Sequence, residues 1–230
     1  FQKGGIGRMT QWIDGPVVLD TGAVSAEDSC VKTLLECVGE RLLGTISTGN
    51  DNRSAYPGCP GPLVQNVYRR QMTQKRKEHW ENPELSGADK SKEHGVAFLT
   101  RMCLESPEKV TVVAMGSLTN LALALRIVPA ASENIREVLL LYAEAAAMTV
   151  GVPSDPEAAQ IVLNQGIPIS IVPEKTDWHM LPEQADRLAR PGAVCRVCLS
   201  MESCPGTLIP TEANGNVRIF LGNDRKEEST

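Results

Sequence analysis

The chain has no apolar run near the eighteen or so residues that a membrane-spanning helix needs, so a bilayer is not among its expected partners. It has no long basic stripe either. Its 23 Lys and Arg stand against 28 Asp and Glu, for a net charge of −5. Counterion release at a nucleic-acid backbone requires clustered cations, so nucleic acid is excluded as the main partner and small molecules are favoured. The one basic run, Arg69 to Lys77, reads as a solvated loop or helix face. An even set of cysteines is also missing: there are 7, scattered, which is the usage of a reducing compartment and favours the cytoplasm. From Phe1 onward no basic region is followed by an apolar stretch, so no secretory leader is read. Cys195, Cys198 and Cys204 lack a fourth ligand at zinc spacing, and His79, His94 and His179 are distant in sequence, so buried or loosely ordered thiols are the expectation there.

What is present is an alternation. Short apolar, β-branched runs at Pro16 to Leu19, Leu42 to Ser47, Val110 to Ala114, Glu137 to Tyr142 and Ile167 to Val172 read as strands. Between them Val31, Leu34, Leu35 and Val38 keep helical spacing, as do Leu118, Leu121, Ala122 and Leu125, and Val96, Leu99, Met102 and Cys103 nearly do. Asp155-Pro156-Glu157 places a capping carboxylate before a proline at the first helical position, and Gly166 stands where a left-handed residue ends that helix. Strands that alternate with helices predict an α/β fold: a Rossmann-like, open, mainly parallel sheet with helices on both faces. A single α/β domain over residues 1–189 is expected, followed by an irregular segment over 190–230.

In such a sheet, ligands bind beyond the carboxyl ends of the strands. The residues there are Asp20-Thr21 after the first strand, Gly49-Asn50 after the second, Met115-Gly116-Ser117 after the third, Tyr142 after the fourth and Glu174 to Asp177 after the fifth. Carboxylates, an amide and a glycine turn therefore converge on one rim. His179, beside Trp178, is a candidate to stack on or protonate a base, against the plainer reading of a surface histidine next to an aromatic.

Val17-Val18-Leu19-Asp20-Thr21 resembles the first strand and motif of the inosine-uridine type nucleoside hydrolases, whose strand runs into Asp-Thr-Asp-Pro-Gly, one further residue and then Asp-Asp. Val112 to Ala124, containing Met115-Gly116-Ser117-Leu118-Thr119-Asn120, resembles that family's central strand, turn and helix. Thr48-Gly49-Asn50, Tyr56 to Leu63 and Asp155 to Pro168 follow in the same order, so the likeness covers roughly residues 16–188; the segment 190–230 is unmatched.

The resemblance implies hydrolysis of the N-glycosidic bond of a ribonucleoside to ribose and free base, with water activated by a bound Ca2+. Calcium takes six to eight oxygen ligands, and a carboxylate beside its water can act as base toward an oxocarbenium-like centre. Carried over by position, Asp20 is both metal ligand and catalytic base, Asp28 a second metal ligand, and Met115 a ligand through its backbone carbonyl. Glu27 and Asn50 become substrate-binding residues at the ribose. Glu27 and Asp28 have an alternative reading as acids that open a helix, where the dipole favours them, and Asn50 as a strand-ending turn residue. The family usually associates, which makes a homo-oligomer an open expectation.

The chain also departs from the family. Gly22 stands where the third motif residue is Asp, and Ala23-Val24 replace Pro-Gly, so a turn that needs glycine is expected to change. The residues from Ala143 to Ser154 are fewer and less polar than the family's ribose-gripping segment, and no His-Asp pair follows Asp177. The alternative function is therefore a catalytically inactive relative that binds a ligand or a partner.

Overall fold

In the computed structural model the described residues are 13, 15–22, 28–48, 55–64, 93–142, 155–173 and 217–219. They form a seven-stranded sheet in which every paired neighbour is parallel. The strands are β1 (Val17–Gly22), β2 (Leu42–Ser47), β3 (Tyr56–Pro57), β4 (Val110–Ala114), β5 (Ile135–Tyr142), β6 (Ile169–Pro173) and β7 (Val217–Ile219). The helices are α1 (Ser29–Val38), α2 (Gly95–Glu105), α3 (Thr119–Ile127) and α4 (Pro156–Leu163). The spatial order is β3-β2-β1-β4-β5-β6-β7, so the chain builds outward from β1 to one edge, returns to the other side of β1 and then builds outward again. This is the expected α/β architecture.

Side chains alternate across a strand, and the two cores follow that period. Val18, Val112, Ala114, Val138 and Leu140 point to one face, where α2, α3 and α4 cover them with Phe98, Leu99, Leu121, Leu125 and Val162. Val17, Leu19, Val113 and Leu139 point to the other, where α1 presents Val31, Leu34 and Val38 at helical spacing. Strands buried on both faces are what a parallel sheet requires, and helices therefore lie on both.

The helix ends are satisfied by the side chains that the sequence places there. His94 Nδ1 accepts from the Val96 N–H at 3.2 Å and caps α2. Asp155 Oδ1 accepts from the Ala158 N–H at 3.1 Å and caps α4, with Pro156 at its first position. Gly39 follows α1 at φ +54°, and Arg41 donates to the last carbonyls of that helix, at 2.7 Å to Cys37 and 3.2 Å to Val38. Gly166, at φ +74°, ends the turn after α4 as its position predicted.

Two strands were not foreseen. β3 has 2 residues, one of them proline, and β7 has 3; both are strands only because a neighbour pairs with them. β7 comes from the segment set apart as irregular and extends the sheet beside β6. Among the described residues no helix is long and apolar enough to cross a membrane.

Helix α2 begins so close to β2 that a Cβ on Gly95 would lie 2.5 Å from Ile46 Cγ2 and 3.2 Å from the Pro57 carbonyl oxygen. Gly95→Ala is expected to destabilise the fold by about 1–3 kcal/mol, since overpacking at a core side chain must displace the helix. Urea unfolding measures this directly, and an unchanged midpoint would mean that α2 has slack against β2.

Candidate active site

The switch in strand order falls between β1 and β4, the point at which sheets of this kind hold their ligand crevice, beyond the carboxyl ends of the strands. Asp20 sits there. In register it is opposite Ile46 of β2 and Ala114 of β4, and by alternation with Val18 it faces the α2–α4 side. Just beyond it the backbones that leave the two strands nearly touch. A Cβ on Gly22 would be 3.1 Å from Gly116 Cα, and one on Gly116 would be 3.0 Å from Gly22 Cα. Gly22 also has φ +55°, a conformation that glycine adopts freely. The left-handed residue that seemed lost with the family's Pro-Gly is thus present one position after Thr21.

Asp20 is 2% exposed. Its Oδ1 accepts from the Gly22 N–H at 3.1 Å, and its Oδ2 from Asn120 Nδ2 at 3.0 Å. Burial pushes its carboxyl up to about 6, although both hydrogen bonds pull the other way. Among the described residues no positive charge is one of the causes of this shift. Thr21 and Ser47 fasten the β1 and β2 ends to each other: Thr21 Oγ1 donates to the Ile46 carbonyl at 3.2 Å and Ser47 Oγ to the Gly22 carbonyl at 3.3 Å.

A second buried carboxylate lies on the same rim. Besides capping α4, Asp155 accepts at Oδ2 from Thr119 Oγ1 at 2.6 Å and from the Leu63 N–H at 2.9 Å. Thr119 Oγ1 is in turn 2.9 Å from Ser117 Oγ. Cys59, whose N–H donates to Asn120 Oδ1 at 2.7 Å, is held between the two acids. Burial first, then the charges of Asp20 and Asp155, push its thiol up to about 11.

Of the residues proposed from sequence, Asp20 and Met115 come together. The Met115 N–H donates to the Asp20 carbonyl at 2.8 Å, while the Met115 side chain is buried in the α1-side core. Asp28 stands immediately before α1, where its carbonyl accepts from the Lys32 N–H at 3.0 Å, a helix-opening position. Glu27, Asn50, His79, His179 and the three C-terminal cysteines lie outside the described residues. Among the described residues no group of three or more His, Cys, Asp or Glu gathers around one point. Sequence reasoning missed Asn120 and the outer oxygen of Asp155. Asn120 stands in the first turn of α3, just past the Met115-Gly116-Ser117 turn of the same rim, and could have been found there. The bonds from Asp155 to Thr119 and Leu63 span 36 and 92 residues and leave no local signal.

An open apolar groove lined by Val96, Ala97, Thr100, Leu104 and Ile127 lies along α2 and the far end of α3. It is separate from this rim, since Asn120 is at the opposite end of α3.

Residues 17–206 match the family described as inosine-uridine preferring nucleoside hydrolase. An uncharacterized protein of Schizosaccharomyces pombe is 31% identical over 128 residues, covering 52% of this chain and 38% of that protein. The pyrimidine-specific ribonucleoside hydrolase RihB of Escherichia coli is 31% identical over 84 residues, covering 33% of this chain and 26% of that enzyme. Both matches span less than two fifths of the relative's length. Among solved structures, the purine-preferring ribonucleoside hydrolase from Gardnerella vaginalis superposes with a TM-score of 0.54 at 14% identity, over 91% of this chain and 94% of that one, a likeness of fold. With a family match over most of its length and the sheet order and rim described above, the chain belongs to the inosine-uridine preferring nucleoside hydrolase family.

Proposed function

We propose that this protein hydrolyses the N-glycosidic bond of ribonucleosides at the β1–β4 crevice, with Asp20 as the base. The observation that supports this best is a carboxylate buried at the topological switch point and held by two hydrogen-bond donors. In the reaction, Asp20 takes a proton from water as the water oxygen bonds to the anomeric carbon. The glycosidic bond breaks and its electron pair leaves with the nucleobase, which takes a proton from solvent while Asp20 returns its own to solvent. The crevice holds Asp20 out of bulk water, so the carboxylate reaches the attacking water with little solvent to reorganise.

For the ribose we assign Asn50 and Glu27, on the resemblance alone. For a calcium ion we assign the Asp20 carboxylate, Asp28 and the Met115 carbonyl. The donors are all oxygen, which suits a hard cation, and the raised Asp20 carboxyl is a burial penalty that a bound cation would offset. Bound there, calcium would supply positive charge for the ribose hydroxyls and for water. Among the described residues no three acids gather at one point, so the remaining oxygens would have to come from backbone, from other residues or from solvent.

A catalytically silent, ligand-binding relative is the second reading. It is favoured by Gly22, which stands where the family carries an acid and where any Cβ would press on Gly116 Cα at 3.1 Å in a left-handed conformation. Ribose release from inosine, uridine, adenosine and cytidine, in calcium and in chelator, separates the two. The hydrolase reading expects turnover that Asp20→Ala lowers by at least about 10²-fold. The silent reading expects no difference between them.

The ionisation of Asp20 gives a further expectation. Its carboxyl is raised from 3.8 to about 6 in the fold, so the protonated form is favoured by burial. That contribution to stability is complete below about pH 4 and is lost as pH rises through about 6, a change on the order of 3 kcal/mol. The melting temperature of Asp20→Asn, taken relative to the parent protein, should therefore rise between pH 4 and pH 7 in chelator. A difference that stays flat over this window would show that the carboxyl titrates normally.

A further inference from the structure

The amide of Asn120 is 2% exposed and has a partner at each of its polar atoms. Its oxygen accepts from the Cys59 N–H at 2.7 Å, so its nitrogen must be the atom turned toward Asp20, 3.0 Å from Oδ2. The other Asp20 oxygen is taken by the Gly22 N–H. With one donor on each oxygen the carboxylate plane is fixed, and the donor on Oδ2 is itself fixed by a backbone group from a different part of the chain. Cys59 can come this close only because its neighbour has no side chain. A Cβ on Gly58 would lie 2.9 Å from Asn120 Nδ2, 3.0 Å from Thr48 Cγ2 and 3.1 Å from Ile46 Cγ2.

Resting on the proposed role of Asp20, we propose that Asn120 is a positioning residue, which aims the Asp20 carboxylate into the crevice and ties its orientation to the segment Ala55–Val64. That segment is held at three points: Gly58 N–H to the Ser47 carbonyl at 2.9 Å, Cys59 N–H to Asn120, and Leu63 N–H to Asp155 at 2.9 Å. Asn120 thus joins the reacting group to this stretch of the rim.

The pattern of donors makes a sharp test available. Asp20→Asn alone sets two amides against each other, because the oxygen of the new amide is required by the Gly22 N–H. Asn120→Asp alone sets two carboxylates against each other. Made together, the two substitutions restore every bond: a carboxylate at 120 accepts from the Cys59 N–H and from the amide at 20, whose oxygen still accepts from the Gly22 N–H. Unfolding constants of the parent protein, both single variants and the paired exchange, measured at pH 7.5 in chelator, form a double-mutant cycle. The exchange should be at least about tenfold more stable than the two single effects predict by addition. It should nevertheless be inactive, since the carboxylate is then on α3.

Turnover of inosine and uridine by a soluble Asn120→Ala protein supplies the functional readout. The expectation is a kcat lowered by about 10²-fold with KM nearly unchanged, because a base that has lost its orientation still leaves the ribose bound. Additivity in the cycle overturns the proposal, and so does an Asn120→Ala protein with full kcat. If the parent protein itself releases no ribose, the proposed function fails, and the cycle alone decides whether Asn120 sets the orientation of Asp20.

Discussion

Burial of the Asp20 carboxylate is the constraint around which the rim is arranged. A carboxylate removed from water is stable only if its oxygens find donors, and the hydroxyls of Thr21 and Ser47 at these strand ends are given to backbone carbonyls. One donor comes from the backbone two residues later, which requires β1 to turn sharply at Gly22. The other comes from Asn120, 100 residues along the chain, which requires β4 to run beside β1 and α3 to start at the same level. Register, turn and helix start are thus set together by one side chain.

The first turn of α3 does this twice. Thr119 reaches Asp155 and Asn120 reaches Asp20, so adjacent residues serve two buried acids on different elements. The stretch Ala55–Val64 is threaded between them and gives one backbone N–H to each side, through Cys59 and Leu63. For the thiol of Cys59 the result is an environment that opposes ionisation, by burial and by two negative charges. It stays protonated at neutral pH, so the proposed chemistry falls to the acids of this rim and not to its cysteine.

Much of the scaffold could be read from the sequence, because its signals are local. The period of Val17 to Leu19 and of Val110 to Ala114, the spacing of Val31, Leu34 and Val38, and the cap at Asp155 each depend on residues within a turn or two. β3 and β7 could not be read, since 2 or 3 residues carry no period and their pairing partners are remote. The same division runs through the site. Asp20 was visible as an acid ending an apolar strand. The identity of its partner was not, because an asparagine in the first turn of a helix has many ordinary uses and only the β1–β4 register singles this one out.

The same long-range geometry changes how the departure from the family motif is to be understood. Read as a string, Gly22-Ala23-Val24 in place of Asp-Pro-Gly removes both a turn-forming glycine and an acid. In space the two losses separate. The positive φ is retained, at Gly22, and its lack of a side chain lets the β1 end meet Gly116 from β4. An aspartate at that position would need a Cβ inside this contact, so the acid could return only if the two strand ends moved apart. The family motif keeps its acid and its glycine at different positions, whereas here one glycine stands in the acid's place and takes the left-handed conformation beside Gly116. Under the proposed function a cation or ribose at this rim meets Asp20 without a carboxylate at position 22, so that charge falls to other groups.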